Sequence, residues 1–208
     1  IIEWVEGQSM IAGVGMLSGK PGGFVYGADI AEFELLTTAD DVLQHMQMVH
    51  ALFNRIDSLG VPTIVGIDGI AVGGGLEIAL TFDRIITTAG AKTKLGFPEV
   101  NLGILPGYGG SGRAYRRIGT AAVAQMMMSG RPLTASAAQA AGLIDQSVDD
   151  AAALQPAMTS WLIAQNRAKP HRQQRETAAD QKALDDASAQ FLTRLRADHT
   201  PAPFAIIE

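Results

Sequence analysis

The chain has no cysteine. That absence excludes disulfide staples, thiol nucleophiles and thiolate metal sites, and it fits a reducing compartment. An excess of basic charge is lacking too: 16 Lys and Arg stand against 21 Asp and Glu, for a formal charge of −5. With no long basic run, a nucleic-acid surface is not the main purpose of this protein. Apolar stretches are broken by Gly, Pro or a charge before they reach the ~18 residues a membrane span needs. No metal-ligand cluster is apparent. No 20–50-residue period marks a solenoid, and no Gly-x-Ser-x-Gly elbow marks a serine hydrolase. What is present is 47% hydrophobic content over 208 residues, enough for one large core, with or without an appendage.

Buried strands alternate with glycine-ended helices. Ile11-Ala-Gly-Val-Gly-Met-Leu17 reads as a short buried strand bounded by glycine. From 39 to 59, apolar side chains at Val42, Met46, Val49, Phe53 and Ile56 recur at helical spacing, with Thr38 or Asp40 as candidate cap. Pro62-Thr-Ile-Val-Gly-Ile67 reads as a second buried strand, followed by glycines and a helix carrying Leu76 and Leu80. Short strands are expected at 84–88 and 94–96. Helices are expected at 121–129, ended by Gly130, and at 135–141, capped by Thr134 and closed by Gly142. The fold class is therefore α/β. After Asp150 the composition shifts towards Ala, Gln and Arg, with helical stretches near 154–167 and 177–196. This divides the chain into a core over 1–150 and a helical appendage and linker over 151–208. The opening Ile1-Ile-Glu-Trp-Val-Glu-Gly7 has no Met and reads as the last turns of a helix, so an N-terminal hairpin and most of that helix are expected to be missing.

Chemistry concentrates in three glycine-marked segments. Asp68-Gly-Ile-Ala-Val-Gly-Gly-Gly-Leu-Glu77 and Leu95-Gly-Phe-Pro-Glu99-Val-Asn-Leu-Gly-Ile-Leu-Pro-Gly107 each set a carboxylate among apolar residues. Keeping such groups charged costs free energy, so a pair of them suggests acid/base work at a shielded site. The third segment, Ser18-Gly-Lys-Pro-Gly-Gly-Phe-Val-Tyr-Gly27-Ala28-Asp29-Ile30, is a turn whose backbone could offer an N–H at Ala28. Gly73-Gly74-Gly75 at a strand-to-helix turn lets a ligand approach bare backbone at the positive end of a helix; close helix-on-sheet packing is the plainer explanation.

Other motifs have weaker claims. Gly107-Tyr-Gly109-Gly-Ser-Gly112 matches the dinucleotide fingerprint in form, but Pro106 interrupts the approach and no Asp or Glu occurs between Glu99 and Asp145 to hold a ribose. His45 and His50 lie on the long helix, with His171 and His199 far downstream. As solvated side chains they need no catalytic role. Met126-Met127-Met128 reads as core or subunit packing, otherwise as lining for an acyl chain. Arg167, Lys169, His171, Arg172 and Arg175 form a basic stretch that is either a solvated face or a set of partners for phosphates.

Gly27-Ala28-Asp29, Gly73-Gly-Gly-Leu-Glu77 and Gly96-Phe-Pro-Glu99 with Leu105-Pro-Gly107 resemble the crotonase, or enoyl-CoA hydratase/isomerase, superfamily in order and separation. The 22-residue spacing of the glutamates and the ending Thr200-Pro-Ala-Pro-Phe-Ala-Ile-Ile-Glu208 are most similar to the N-terminal hydratase half of multifunctional fatty-acid oxidation enzymes. The resemblance implies a crotonase-like spiral of ββα units forming two sheets over helices. It also implies hydration of trans-2-enoyl-CoA in fatty-acid β-oxidation, with Glu77 and Glu99 catalytic and the N–H groups of Ala28 and Gly74 as the oxyanion hole. Lys20, Tyr26, Asp29, Gly73, Gly75, Pro98 and Gly107 are the implied substrate contacts. No cofactor is implied beyond the coenzyme A of the substrate, and no metal. A cytoplasmic location, or the mitochondrial matrix in a eukaryote, is implied, as is a trimer or hexamer or membership of a larger fatty-acid oxidation complex. Double-bond isomerisation and a non-catalytic acyl-CoA-binding or assembly role are the alternatives. Tyr26, Asp68, Tyr108, Ser111 and Gly112 depart from the commoner residues of the family at their positions.

Overall fold

In the computed structural model, residues 1–20, 23–33 and 35–169 are described. A short helix α1 (Ile2–Glu6) ends at Gly7. Strand β1 (Val14–Leu17) and a one-turn helix α2 (Ile30–Phe33) follow, then the long helix α3 (Ala39–Asp57). Thr38 starts α3 with a capping box: its hydroxyl accepts the Asp41 N–H while the Asp41 carboxylate accepts the Thr38 N–H. Two donors that a helix start leaves unpaired are thereby satisfied.

Strands β2 (Thr63–Ile67), β3 (Ile70–Val72), β4 (Arg84–Thr88) and β5 (Lys94–Gly96) come as two pairs, with helix α4 (Gly74–Ala79) after the first and a 3-10 turn (Glu99–Leu102) after the second. Helices α5 (Gly110–Ile118) and α6 (Thr120–Ser129) lead to β6 (Leu133–Thr134), α7 (Ala135–Ala141), β7 (Gln146–Val148) and α8 (Ala151–Gln165). Gly130 and Gly142 close α6 and α7 with φ of +59° and +81°, the left-handed turn that glycine adopts without penalty.

Two sheets result. One is parallel, in the order β1-β2-β4-β7; the other has the order β3-β5-β6, with β3 parallel and β6 antiparallel to the central β5. Register in the first runs Val14↔Thr63 and Ile64↔Arg84, so successive strands leave the sheet at the same end. The main core lies between this sheet and α4 to α7, around Phe24, Val65, Ile67, Leu76, Ile85, Leu95 and Phe97. The methionines of α6 are buried, and Met126 and Met127 belong to this core.

One expectation changes. Strand β1 is not buried: among the described residues it has β2 on one side only, so it alternates between half-buried and exposed, and Leu17 is 40% exposed. Helix α8 packs on the first sheet, where Leu154 and Met158 meet Ile64 and Ile86. A Cβ on Gly66 would run into Leu17 and Met158, so the glycine lets α8 lie close. The first helix after Asp150 thus lies against the sheet. The helix expected at 177–196 lies outside the described residues. Among the described residues, no helix is long and apolar enough to cross a membrane.

Candidate active site

The glycines after β3 determine where Glu77 goes. Gly73 turns the chain at φ +55°, and α4 starts at Gly74. Gly75 faces the 23–28 turn so closely that any Cβ there would overlap the Val25 carbonyl. The Val72 N–H donates to that same carbonyl at 3.3 Å, which docks the turn on β3. The docking brings Ala28 to Gly74: a Cβ on Gly74 would lie 3.4 Å from Ala28 N. Gly27 makes its bend at φ +128°. Neither Ala28 N–H nor Gly74 N–H donates to an acceptor among the described residues. Two neighbouring N–H groups without an acceptor among the described residues, one at the start of a helix, could together hold an oxygen that gains negative charge.

Glu77 is buried, with 1% of its surface exposed. One oxygen, Oε1, accepts the N–H groups of Tyr108 and Gly110, each at 2.8 Å. Burial pushes its pKa above the usual carboxylate value, while those two N–H bonds and the nearby charges of Arg113 and His50 pull the other way. Glu99 opens the 3-10 turn after Pro98. It is 9% exposed, and its Oε2 is buried without a hydrogen-bond partner. Burial, with a contribution from the Glu77 charge, pushes Glu99 up to about 7. Its Oε1 lies 2.9 Å from where a Cβ on Gly73 would stand, so it sits against the Gly73-Gly74 turn. Two carboxyls that sense each other, one held by donors and one orphaned, are thus set beside the unpaired N–H pair. Such an arrangement can accept a proton at one carboxyl and give one at the other while an oxyanion is held.

The remaining expected contacts divide. Gly107 belongs to the loop that holds Glu77, and Pro98 precedes Glu99 directly. Asp29 caps the next turn, accepting the Ala31 N–H at 3.0 Å. Lys20 places its ammonium over the ring of Tyr26, 5.6 Å from the centroid, and Tyr26 is 58% exposed. Lys20 also borders a cavity of about 380 Å³ with Ser18, Asp68 and Gln155, and neither glutamate lines it. Asp68 accepts the Thr88 hydroxyl at 2.9 Å, which ties the β2–β3 turn to β4. Of the basic stretch, Arg167 donates to the Ser9 carbonyl and Lys169 to the Leu59 carbonyl, each at 2.6 Å. Lys169 also pairs with Asp83, whose carboxylate accepts the Thr63 N–H at the start of β2. His171, Arg172 and Arg175 lie outside the described residues.

Sequence reasoning missed the bracket around Glu77. His45 and His50 are half-buried and each holds a partner: His45 Nε2 shares a hydrogen bond with the Tyr108 hydroxyl at 3.0 Å, and His50 Nε2 donates to the Gly107 carbonyl at 2.6 Å. Arg113, 7% exposed, donates to the Tyr108 carbonyl at 3.1 Å and pairs with Asp57 at 3.3 Å. Gly109 in the left-handed region at φ +84° gives the only local clue that this loop must bend to present its amides.

Comparison with known proteins agrees with this architecture. Residues 5–200 match the family model described as enoyl-CoA hydratase/isomerase. The fatty acid oxidation complex subunit alpha of Shewanella halifaxensis (strain HAW-EB4) is 33% identical over 214 residues, covering 100% of this chain and 30% of that protein. The subunit of the same name from Shewanella loihica is 39% identical over 165 residues, 79% of this chain and 23% of that protein. This chain therefore spans about a third or less of the curated relatives it matches. Among solved structures, an enoyl-CoA hydratase/carnithine racemase from Magnetospirillum magneticum aligns with a TM-score of 0.72 at 25% identity, over 78% of this chain and 60% of that one. Pseudomonas aeruginosa DspI shares the fold, with a TM-score of 0.74 at 24% identity over 98% of this chain and 72% of that one. With the family match spanning nearly the whole chain and the three motifs meeting at one site on a crotonase fold, this chain belongs to the enoyl-CoA hydratase/isomerase family.

Proposed function

We propose that this chain is an enoyl-CoA hydratase that adds water to trans-2-enoyl-CoA to give 3-hydroxyacyl-CoA, as the hydratase portion of a fatty-acid oxidation protein. The observation that carries the proposal is the unequal environment of the two glutamates. Glu77 accepts two N–H bonds on one oxygen, whereas Glu99 has an orphaned oxygen and a pKa of about 7. Hydration needs a base and an acid at once, and environments that differ in this way supply them.

In this reading the thioester oxygen lies between Ala28 N–H and Gly74 N–H. Negative charge develops there as water adds, and fixed donors of this kind contribute about 2.7–4 kcal/mol each. Glu77 takes a proton from water as the water oxygen bonds to C3. The C2=C3 electron pair moves through C2 into the thioester, and protonated Glu99 returns a proton to C2. Addition leaves the water's proton on Glu77 and Glu99 charged; passing that proton from Glu77 to Glu99 restores both carboxyls, so that over a full turnover one water is consumed and two hydrogens are gained, one on the C3 hydroxyl and one on C2. The two carboxyls titrate as a pair, so the proton can be shared between them. Lys20, with Tyr26 and Asp29, is assigned to the coenzyme A side of the site. The reaction calls for no further cofactor.

A second reading, Δ3–Δ2 double-bond isomerisation, draws support from Glu99 alone: a buried carboxyl near neutral pKa can move one proton between C4 and C2. The names of the relatives favour a place in a larger fatty-acid oxidation assembly over a free-standing trimer or hexamer; a cytoplasmic or matrix location is part of the same reading. The deciding experiment follows the conjugated-thioester absorbance of crotonyl-CoA with the full-length protein, alongside a 3-enoyl-CoA. Rapid loss with crotonyl-CoA supports the hydratase. Turnover of the 3-enoyl-CoA alone replaces it with the isomerase, and binding without turnover of either leaves only an acyl-CoA-binding role.

A further inference from the structure

The proposed mechanism leaves one question open: what keeps Glu77 facing the substrate when burial alone would favour its neutral, freely turning form. The loop at 107–110 answers it. Its two N–H groups at Tyr108 and Gly110 point inward to Glu77 Oε1. Three of its other polar groups are held from elsewhere: the Gly107 carbonyl by His50, the Tyr108 carbonyl by Arg113 and the Tyr108 hydroxyl by His45. Both histidines come from α3, a helix that carries neither glutamate and neither residue of the N–H pair. The Tyr108 ring is fixed further by an edge-to-face contact with Phe53, with centroids 6.0 Å apart. That ring also lies 3.5 Å from where a Cβ on Gly74 would stand, so the same residue touches the base and the oxyanion turn.

We infer that His50 and His45 are positioning residues that latch the 107–110 loop from α3 and thereby hold Glu77 in the orientation a base requires. The inference rests on the hydratase reading for its kinetic consequence and on geometry alone for its structural one. Each latch bond fixes a backbone or phenol oxygen one or two bonds away from a group that Glu77 or the oxyanion turn depends on. Losing a latch lets the loop shift by a fraction of an ångström, and a base displaced by that much loses rate without losing substrate affinity.

The test uses the full-length protein. His50→Leu removes the donor to Gly107, and should lower kcat for crotonyl-CoA about tenfold or more with KM within about twofold, since misplacement of a reacting group acts on the chemical step. His50→Gln, whose amide nitrogen reaches the position of Nε2, should restore most of the loss. Tyr108→Phe breaks only the link to His45 and should show a smaller loss of the same kind. In a Glu77→Gln background both effects should vanish, because the group being positioned is gone. Independently of any activity, the Tyr108 and Gly110 amides should exchange with solvent about tenfold faster or more in His50→Leu than in wild type, as local opening becomes easier. Full kcat in His50→Leu and Tyr108→Phe, an equal loss in the Glu77→Gln background, or unchanged exchange at both amides would each overturn the latch. If His50→Leu does not fold, Tyr108→Phe carries both readouts. Should the wild type fail to hydrate crotonyl-CoA, the hydratase reading fails by itself and amide exchange still decides the latch.

Discussion

Gly110 and Glu77 constrain each other at two points: the Gly110 N–H donates to Glu77 Oε1 at 2.8 Å, and any Cβ on Gly110 would overlap Glu77 Cγ. The helix start that supplies the hydrogen bond therefore also forbids a side chain there. Gly110→Ala should push the Glu77 side chain off its donors. Overpacking of this kind costs about 1–3 kcal/mol of stability, and displacement of the base should lower hydration by about tenfold to 100-fold. Thermal melts and crotonyl-CoA turnover check both. A variant with wild-type turnover would show that Glu77 need not stand where it does.

Removing proton transfer while keeping shape isolates the chemistry. Glu77→Gln and Glu99→Gln should each depress hydration about 100-fold or more, the size of a general acid or base contribution. Acyl-CoA binding, measured by calorimetry with a non-reactive thioester, should change little. Near-wild-type hydration in both variants would remove the pair from the mechanism. If Glu77→Gln abolishes hydration but keeps isomerisation, the two reactions share the site through Glu99.

The pH dependence follows from the directions of the two shifts. Burial pushes Glu99 up to about 7 and Glu77 above 4.5. As the acid, Glu99 must be protonated, so kcat/KM for hydration should fall as pH rises through about 7. The Glu77 base must be charged, so activity should also fall at acid pH, below a limb displaced upward from 4.5. Glu99→Gln should abolish the alkaline limb. An alkaline limb that persists in this variant belongs to another group.

The same shift has a sign for stability. A carboxyl with a raised folded pKa favours the folded state below its unfolded value, and that contribution disappears as pH rises through the folded value. For Glu99 the window runs from 4.5 to about 7. Above it, the buried charge costs roughly 3 kcal/mol. Glu99→Gln should therefore gain stability relative to wild type between pH 5 and pH 8, read as a melting-temperature difference that grows by about 5 °C or more. A constant difference across that range would mean that Glu99 is not titrating there.

Local signals were legible and long-range ones were not. Thr38, Gly130 and Gly142 announce helix ends because caps depend on the residue at the end and its near neighbours, and each stands where its chemistry predicts. The two glutamates were legible because a carboxylate among glycines and apolar residues is costly wherever the chain goes. The crotonase fold came from three motifs in order, a pattern no single element carries. His45, His50 and Arg113 were not legible as a bracket. Their spacing on α3 and α5 fits any helix, and the bonds to Tyr108 and Gly107 join residues 63 and 57 positions apart for the histidines. Strand β1 was misjudged for a related reason: an apolar run shows that a strand can be buried, but whether it has one neighbour or two is a property of the sheet.

Gly74 and Gly75 adjoin in the chain but should respond oppositely to one methyl group. At Gly75 a Cβ would overlap the Val25 carbonyl, a backbone atom already bonded to Val72 N–H. Backbone cannot step aside as a flexible side chain can, so Gly75→Ala should undock the 23–28 turn and lower the melting temperature by several degrees or yield insoluble protein. At Gly74 a Cβ would meet Ala28 N at 3.4 Å and the Tyr108 ring at 3.5 Å, ordinary contact distances. Gly74→Ala should fold with a nearly unchanged melting temperature, yet its methyl group projects where the thioester oxygen must approach both N–H groups. Loss of one oxyanion donor lowers kcat by about 10²–10³-fold, and hydration should fall into that range with weaker thioester binding. Melting temperatures and crotonyl-CoA kinetics on the two variants separate the roles. If Gly74→Ala turns over normally, the thioester oxygen does not bind between Ala28 and Gly74; if Gly75→Ala is as stable as wild type, the turn is not held by its approach to α4.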